Sequence, residues 1–326
     1  MPGEFSLPSR VLIPTPRGFC AGVERSIDAM KAALVKYPNL PIFGYHSLIH
    51  NEEVTRGFEK QGVDFVNQIS KTARGSVTVF SAHGVSPEVR IQAEERGLTT
   101  IDATCPLVEK VHAEVRRLKE ADYDILLNGH NGHDETVGTL GEAPNHIQVV
   151  KTIEDVENVR VRDPEKVGYL EQTTLSRDEA APIRAAVLRR FPRIYIPRAS
   201  DICFATQNRQ DGVKKLIEEG AEAIIGVGSK TSANSTRLVE VAESTFLKTK
   251  GPNETDQPRA LFINNVSDLD LKDVCGRSCI GIVSGASTPE HLFDEVVSLF
   301  TRGGALLEEI LITDKEQNMR FALPKI

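Results

Sequence analysis

Arg10-Val-Leu-Ile-Pro-Thr-Pro-Arg-Gly-Phe-Cys20, Thr100-Ile-Asp-Ala-Thr-Cys105 and Arg193-Ile-Tyr-Ile-Pro-Arg-Ala-Ser-Asp-Ile-Cys203 are the stretches whose reading decides the fold. Each begins as an apolar, β-branched run of the kind that forms buried strands, and each ends on a cysteine. Helical periodicity takes over directly afterwards, over Ala21–Val35, Pro106–Glu120 and Ala205–Glu219. One structural idea is used three times, with a thiol at the same strand-to-helix corner. A helix N-terminus carries partial positive charge and lowers a thiol's pKa, so each cysteine is placed to be a thiolate. The intervals between them are domain-sized, too long for a zinc finger. Three thiolates meeting at one centre hold an inorganic cofactor with a coordination position left over, which is the mark of a reactive site.

The rest of the chain repeats the alternation. Strands are expected at Val11–Pro14, Ile42–Tyr45, Val77–Ser81, Asp124–Leu127, Val167–Leu170, Ile194–Ile196, Ala223–Val227, Ala260–Ile263 and Cys279–Val283. Helices are expected between them at Pro87–Arg96, Arg177–Arg190, Ser235–Phe246 and Pro289–Phe300. Val/Ile-rich strands alternating with helices make an α/β protein of mostly parallel sheets covered by helices. The polar, Pro-bearing stretches Arg160–Glu165 and Gly251–Gln257 read as surface loops.

Composition bounds the function. At 326 residues the chain holds two or three domains, and 40% hydrophobic with 26% charged residues is ordinary for a globular protein. A net charge of −7 with no basic run argues against nucleic acid as a partner. No stretch reaches the ~20 apolar residues that span a bilayer, and no signal peptide is apparent at the N-terminus. Five cysteines are an odd and sparse set, which fits a reducing cytoplasm better than a disulfide scaffold.

Other strand ends deliver loops rich in Gly, Ser, Thr, Asn and His: Ala82–Pro87, Asn128–Thr136, Glu171–Ser176, Gly228–Ser235 and Ser284–Pro289. Ligands of open α/β sheets sit beyond such strand ends, where helix N-termini point their N–H groups outward. Any one of these loops is explained by helix capping alone, but capping does not call for the imidazoles of His83 and His133 or for Glu135. His112, His146 and His291 fall outside the Gly-rich loops and read as structural. His130-x-x-His133-x-Glu135 has a metal-like spacing without the order of a zinc protease helix, and Gly226–Thr231 matches neither the dinucleotide nor the P-loop pattern. Cys275 and Cys279 read as packing.

Five motifs in order then resemble one family. Pro16-Arg-Gly-Phe-Cys20-Ala-Gly-Val23, Ser81-Ala-His83-Gly-Val-Ser86, Asp102-Ala-Thr-Cys105-Pro-Leu-Val108, Gln172-Thr173-Thr-Leu-Ser176 and Asp201-Ile-Cys203-Phe-Ala-Thr206 are similar to the 4-hydroxy-3-methylbut-2-enyl diphosphate reductases, which end the non-mevalonate isoprenoid pathway. The resemblance runs from about Val11 to Pro324. It implies three pseudo-threefold-related lobes, each a small sheet flanked by helices, around a central iron–sulfur cluster. The corresponding divisions are an N-terminal extension at 1–9, lobes at 10–105 with Cys20, 106–200 and 201–310 with Cys203, and a tail at 311–326 packing back on the body. It implies a 4Fe–4S cluster held by Cys20, Cys105 and Cys203 with one open iron. Matching positions place His50, His83, His133, Thr173, Ser232, Asn234 and Ser287 around the diphosphate substrate, with Ala233 offering only its backbone. Glu135 takes the place of the essential proton donor, and Thr173 orients or relays its proton. The implied reaction is reductive dehydroxylation to isopentenyl and dimethylallyl diphosphate, with electrons from a ferredoxin- or flavodoxin-type carrier.

Two positions depart from the family pattern. Ala233 stands where a second serine is common, and Asp134 stands where proline is common; Asp134 is expected either to face solvent or to raise the proton affinity of Glu135. His46 is expected to contact the diphosphate less than His50 does, and Met319–Pro324 is a candidate strand folding back over the site. Two other classes compete: a zinc hydrolase using His130, His133 and Glu135, and an iron–sulfur redox sensor. The sensor has no use for a diphosphate-shaped set of His, Ser, Thr and Asn.

Overall fold

The computed structural model describes residues 6–253, 257–314, 316 and 318–326. Strands and helices follow one another as β1 (Arg10–Thr15), α1 (Ala21–Lys36), β2 (Ile42–Tyr45), α2 (Glu52–Glu59), β3 (Val63–Val66), β4 (Val77–Phe80), α3 (Pro87–Glu95), β5 (Thr99–Asp102) and α4 (Pro106–Glu120). Then come β6 (Asp124–Asn128), α5 (Asp134–Glu142), β7 (Ile147–Val150), α6 (Ile153–Asn158), β8 (Val167–Glu171) and α7 (Arg177–Arg190). The chain closes with α8 (Phe204–Glu218), β9 (Ala223–Val227), α9 (Ala233–Lys250), β10 (Ala260–Ile263), β11 (Cys279–Ser284), α10 (Glu290–Arg302) and β12 (Leu306–Leu311).

The strands form three sheets, of five, four and three strands, with orders β10-β9-β11-β1-β12, β3-β2-β4-β5 and β7-β6-β8. Every strand pairing among the described residues is parallel. The expected α/β class of three helix-flanked parallel sheets is therefore what the chain adopts.

Two compact units divide these sheets. One comprises Met1–Cys20, His50–Glu52 and Phe204–Met319 and holds the five-stranded sheet. Alternation along β1 sends Val11 and Ile13 to one face, with Phe293, Val296 and Phe300 of α10. Leu12 goes to the other face, with Val213 and Leu216 of α8 and Leu238 and Phe246 of α9. Each large apolar side chain so buried contributes about 1.5–3 kcal/mol. The second unit comprises Ala21–Ile49, Glu53–Cys203 and Arg320–Ile326 and holds the other two sheets. Its strands β4, β6 and β8 are buried along their whole length, as continuous apolar runs require.

Several boundaries differ from the sequence reading. β1, grouped with residues 10–105, instead pairs with β11 and β12, in a different sheet from β2–β5. β5 is the strand read before Cys105, whereas β3, β7 and β12 are not anticipated by the sequence; all three lie at sheet edges, where polar residues interrupt the apolar pattern. Ile194–Ile196 is no full strand: Tyr195 makes a single parallel bridge to Gly168, and Pro197 follows. Residues 319–324 form no strand either; the segment is irregular, and Arg25 Nε donates to the Ala322 carbonyl at 2.8 Å. Of the expected extension 1–9, residues 1–5 lie outside the described residues, while Leu7 packs against the core beside α10. Residues 254–256 of the expected Gly251–Gln257 loop likewise lie outside them.

Candidate active site

The expected functional residues fall into two groups, one in each unit. In the unit holding β2–β8, a chain of hydrogen bonds runs through the loops after β6 and β8. Glu135, in the first turn of α5, is 2% exposed. Thr173 donates to it twice, from its amide to Oε1 at 2.7 Å and from its hydroxyl to Oε2 at 2.8 Å. Burial pushes the Glu135 pKa up against the opposing pull of these two bonds and of His112, with Asp201 adding to the rise. Burial of this kind favours the protonated form of the carboxyl. The Thr173 carbonyl in turn accepts from the amide of Cys203 at 3.0 Å, which fixes the thiol-bearing residue to the same loop.

His133 caps α5, its Nδ1 accepting from the Glu135 amide at 3.2 Å. That bond assigns the proton of a neutral ring to Nε2 and makes Nε2–H the donor. The His83 ring stands edge-on to His133, with centroids 5.8 Å apart. His83 belongs to the loop after β4, where Gly84 has a φ of +80° and a Cβ would meet His112 Cε1 at 2.9 Å, so glycine is required on both counts. Cys105 stands immediately before α4, and its amide donates to the Ala82 carbonyl at 2.9 Å, tying the second thiol to the His83 loop.

In the unit built on the five-stranded sheet, the loops after β9 and β11 lock together. Ser232 caps α9, accepting from the Ser235 amide at 3.3 Å. The Ser287 hydroxyl lies 3.1 Å from Ser232 Oγ and 3.2 Å from the His50 carbonyl. Asn234 Oδ1 accepts from the Ala286 amide at 2.9 Å, and its Nδ2 donates to Thr206 at 3.1 Å. The Cys20 amide donates to the Ala286 carbonyl at 3.1 Å, so the third thiol hangs on the same loop as Ser287. Ala233 opens α9 between the two polar residues and brings no side-chain donor of its own.

Asp134 neither faces solvent nor figures among the groups that move Glu135: its carboxylate lies 2.7 Å from His46 Nδ1, in a half-buried pair. His46 is thus engaged by Asp134. Both Glu135 oxygens face Thr173, which is not the arrangement of a zinc triad with His130 and His133. Cys275 and Cys279 are buried, as packing thiols should be, and burial pushes both pKa values up. The sequence reading missed Gln172, which sits in one of the five motifs. Its Oε1 accepts from the His130 amide at 2.9 Å and from Thr136 at 3.3 Å, holding the loop that carries His133. His112, read as structural, is buried completely, with Nδ1 3.2 Å from Glu142, and packs under the His83 loop.

Cys20, Cys105 and Cys203 are half-buried, take part in no disulfide, and each directly precedes a helix. That donor set fits an iron–sulfur cluster, which takes thiolate ligands. Comparison with known proteins decides the family. The LytB protein profile matches residues 11–301.

The chain belongs to the LytB protein family.

It is 44% identical over 317 residues to the 4-hydroxy-3-methylbut-2-enyl diphosphate reductase of Streptomyces coelicolor, covering 97% of this chain and 90% of that one. With the reductase of Mycolicibacterium gilvum it shares 45% over 322 residues, covering 99% and 93%. The solved structure of the E-1-hydroxy-2-methyl-but-2-enyl-4-diphosphate reductase from Plasmodium falciparum superposes with a TM-score of 0.89 at 33% identity, covering 97% of this chain and 96% of the other. Among the described residues of this LytB protein, no helix is long and apolar enough to cross a membrane.

Proposed function

We propose that this chain reductively dehydroxylates (E)-4-hydroxy-3-methylbut-2-enyl diphosphate to isopentenyl and dimethylallyl diphosphate, as the last step of the non-mevalonate pathway. Its close similarity to reductases of that name, over nearly its whole length, supports the reading. Cys20, Cys105 and Cys203 would hold one 4Fe–4S cluster, and three ligands for four irons would leave one iron without a protein ligand. When bound, the cluster supplies a Lewis-acid position and a route for electrons.

The protein's own groups do the rest. His50, His83, His133, Ser232, Asn234 and Ser287, with the Ala233 amide, receive the diphosphate. Imidazole, hydroxyl and amide donors at helix starts neutralise an anion without a lysine or arginine cluster. Glu135 holds the proton that turns the departing hydroxyl into water, because hydroxide is a poor leaving group. Thr173 orients that carboxyl and passes the proton on, since its hydroxyl both donates and accepts. Two electrons from a carrier and a second proton, taken up at either end of the allyl unit left behind, complete the reduction and give the two products. Electrons arrive from a ferredoxin- or flavodoxin-type carrier, in the cytoplasm.

The observation that carries this reading is the fully buried Glu135 carboxyl, bonded twice to Thr173 on the loop that also fixes Cys203. The test is anaerobic turnover of the hydroxylated diphosphate with dithionite and a viologen mediator, comparing the parent with Glu135→Gln. The parent is expected to be brown and active, and the variant to keep its colour while losing about 10²- to 10⁴-fold in rate. Equal turnover in the two proteins removes Glu135 as proton donor, and a colourless parent removes the cluster.

A further inference from the structure

Helix α8 carries a charge where its pattern calls for an apolar residue. Ala205, Val213 and Leu216 line its buried face, and Arg209 stands in the same stripe at 2% exposure. Its Nη1 donates to Glu316 Oε1 at 2.7 Å and to the Ala205 carbonyl at 3.0 Å, and its Nη2 donates to the Gly18 carbonyl at 2.7 Å. Glu316 is itself 7% exposed and also accepts from Asn208 Nδ2 at 2.7 Å. A buried ion pair is a poor way to stabilise a fold, because desolvation offsets its attraction and apolar residues of similar volume often serve as well. Its presence here needs another reason.

That reason lies in what the guanidinium grips. Gly18 is two residues before Cys20 and has a φ of +66°; a Cβ there would meet Glu290 Oε2 at 2.4 Å. Its amide donates to Ser284 Oγ at 3.0 Å, and the Cys20 amide donates to the Ala286 carbonyl at 3.1 Å. Both of those anchors come from β11 and the loop after it. Arg209 reaches the same segment from another element, α8, and its bond is the charge-assisted one of these three. Removing it takes away the bond that ties the Gly18 carbonyl to α8.

We propose that Arg209, itself held by Glu316, is a positioning residue for the Cys20 thiol: it fixes the Gly18–Cys20 segment against α8 and so governs how tightly Cys20 retains its iron. This inference rests on the reading of Cys20 as a cluster ligand. Its test compares anaerobically reconstituted parent, Cys20→Ser, Arg209→Met, Arg209→Lys and the double variant Arg209→Met/Glu316→Leu. The readouts are the rate of iron transfer to a ferrous chelator, the EPR signal of the reduced protein and thermal stability. Alkylation of Cys20 in the cluster-free protein, followed by mass spectrometry, adds a readout that needs no cluster.

Arg209→Met leaves a buried carboxylate alone and is expected to destabilise the fold, whereas the double variant removes both charges and regains stability. Both are expected to release iron about 10- to 100-fold faster than the parent, the equivalent of one lost hydrogen bond to a charged group. Both are also expected to show an altered EPR signal and faster Cys20 alkylation. Arg209→Lys, which keeps a charge but not the fork, is expected to fall between them and the parent. A double variant of parental stability that also releases iron and alkylates at the parental rate makes Arg209 merely structural and overturns the proposal. Iron release at the parental rate in Cys20→Ser overturns instead the ligand assignment on which the proposal stands.

Discussion

The two units bring opposite chemistry to their loops. The unit built on the five-stranded sheet offers neutral donors, Ser232, Asn234 and Ser287, locked to one another and to the backbone of Ala286 and His50. The unit holding β2–β8 offers imidazoles and a buried carboxyl, with the Glu135 pKa pushed up by desolvation. Neutral, pre-aligned N–H and O–H groups bind an anion without giving it a proton; a desolvated carboxyl stores a proton and has no attraction for an anion once ionised. On the proposed reading, proton storage by Glu135 is confined to one unit, while the hydroxyl and side-chain amide donors to the diphosphate, Ser232, Asn234 and Ser287, belong to the other; His83 and His133 add imidazole donors in the unit of Glu135. Substitutions should therefore separate proton storage from binding by the neutral donors.

The largest effect belongs to Glu135→Gln, where the loss described above is expected in kcat with KM little changed; a rise in KM at constant kcat would assign Glu135 to binding instead. Thr173→Val keeps the amide bond to Glu135 Oε1 and removes the hydroxyl bond to Oε2. Steady-state kinetics should then show kcat lower by about 10- to 100-fold, the range for a hydrogen bond to an ionisable partner. Asn234→Ala cuts the anchor of Ala286 and is expected to raise KM by about 10-fold with a smaller change in kcat, reversing the pattern of the other unit. Smallest in kinetics, Ala233→Ser adds a donor to the neutral shell and is expected to tighten substrate binding by about 2- to 10-fold, measured by calorimetry. Weaker binding in that variant would mean that position 233 faces no diphosphate oxygen.

The same contrast has a pH signature. Because the folded-state pKa of Glu135 is raised above its ordinary value of 4.5, the folded protein holds a proton that the unfolded chain has lost. Stability contributed by this group is present below the unfolded value and falls as pH rises through the folded one, by up to about 1.4 kcal/mol per pH unit. Denaturation of the cluster-free protein over that window should show the slope in the parent and its absence in Glu135→Gln.

Central strands and long helices were legible in the sequence because burial on both faces demands unbroken Val/Ile runs, as in β9 and β11. Edge strands with an interrupted apolar pattern, β3, β7 and β12, were not: β12 reads Leu-Leu-Glu-Glu-Ile-Leu, with Glu308 taken up by Arg10 on the neighbouring strand, a pairing that periodicity cannot reveal. The placement of β1 also escaped the reading, since nothing in residues 10–15 says that their partners lie nearly 300 residues away. Site residues with chemistry foreign to capping, such as His133 and Glu135, stood out. Gln172 and Arg209 did not, because they act through contacts between elements distant in sequence. Both left a trace, Gln172 as a member of a quoted motif and Arg209 as a cation in the apolar stripe of α8.

The proposed holding of a four-iron cluster by three cysteines requires one iron unlike the rest, and Mössbauer spectroscopy of anaerobically reconstituted, ⁵⁷Fe-labelled protein tests that most directly. One distinct iron whose signal alone changes on adding the hydroxylated diphosphate is the expected result. Four equivalent irons, indifferent to that substrate, would contradict it.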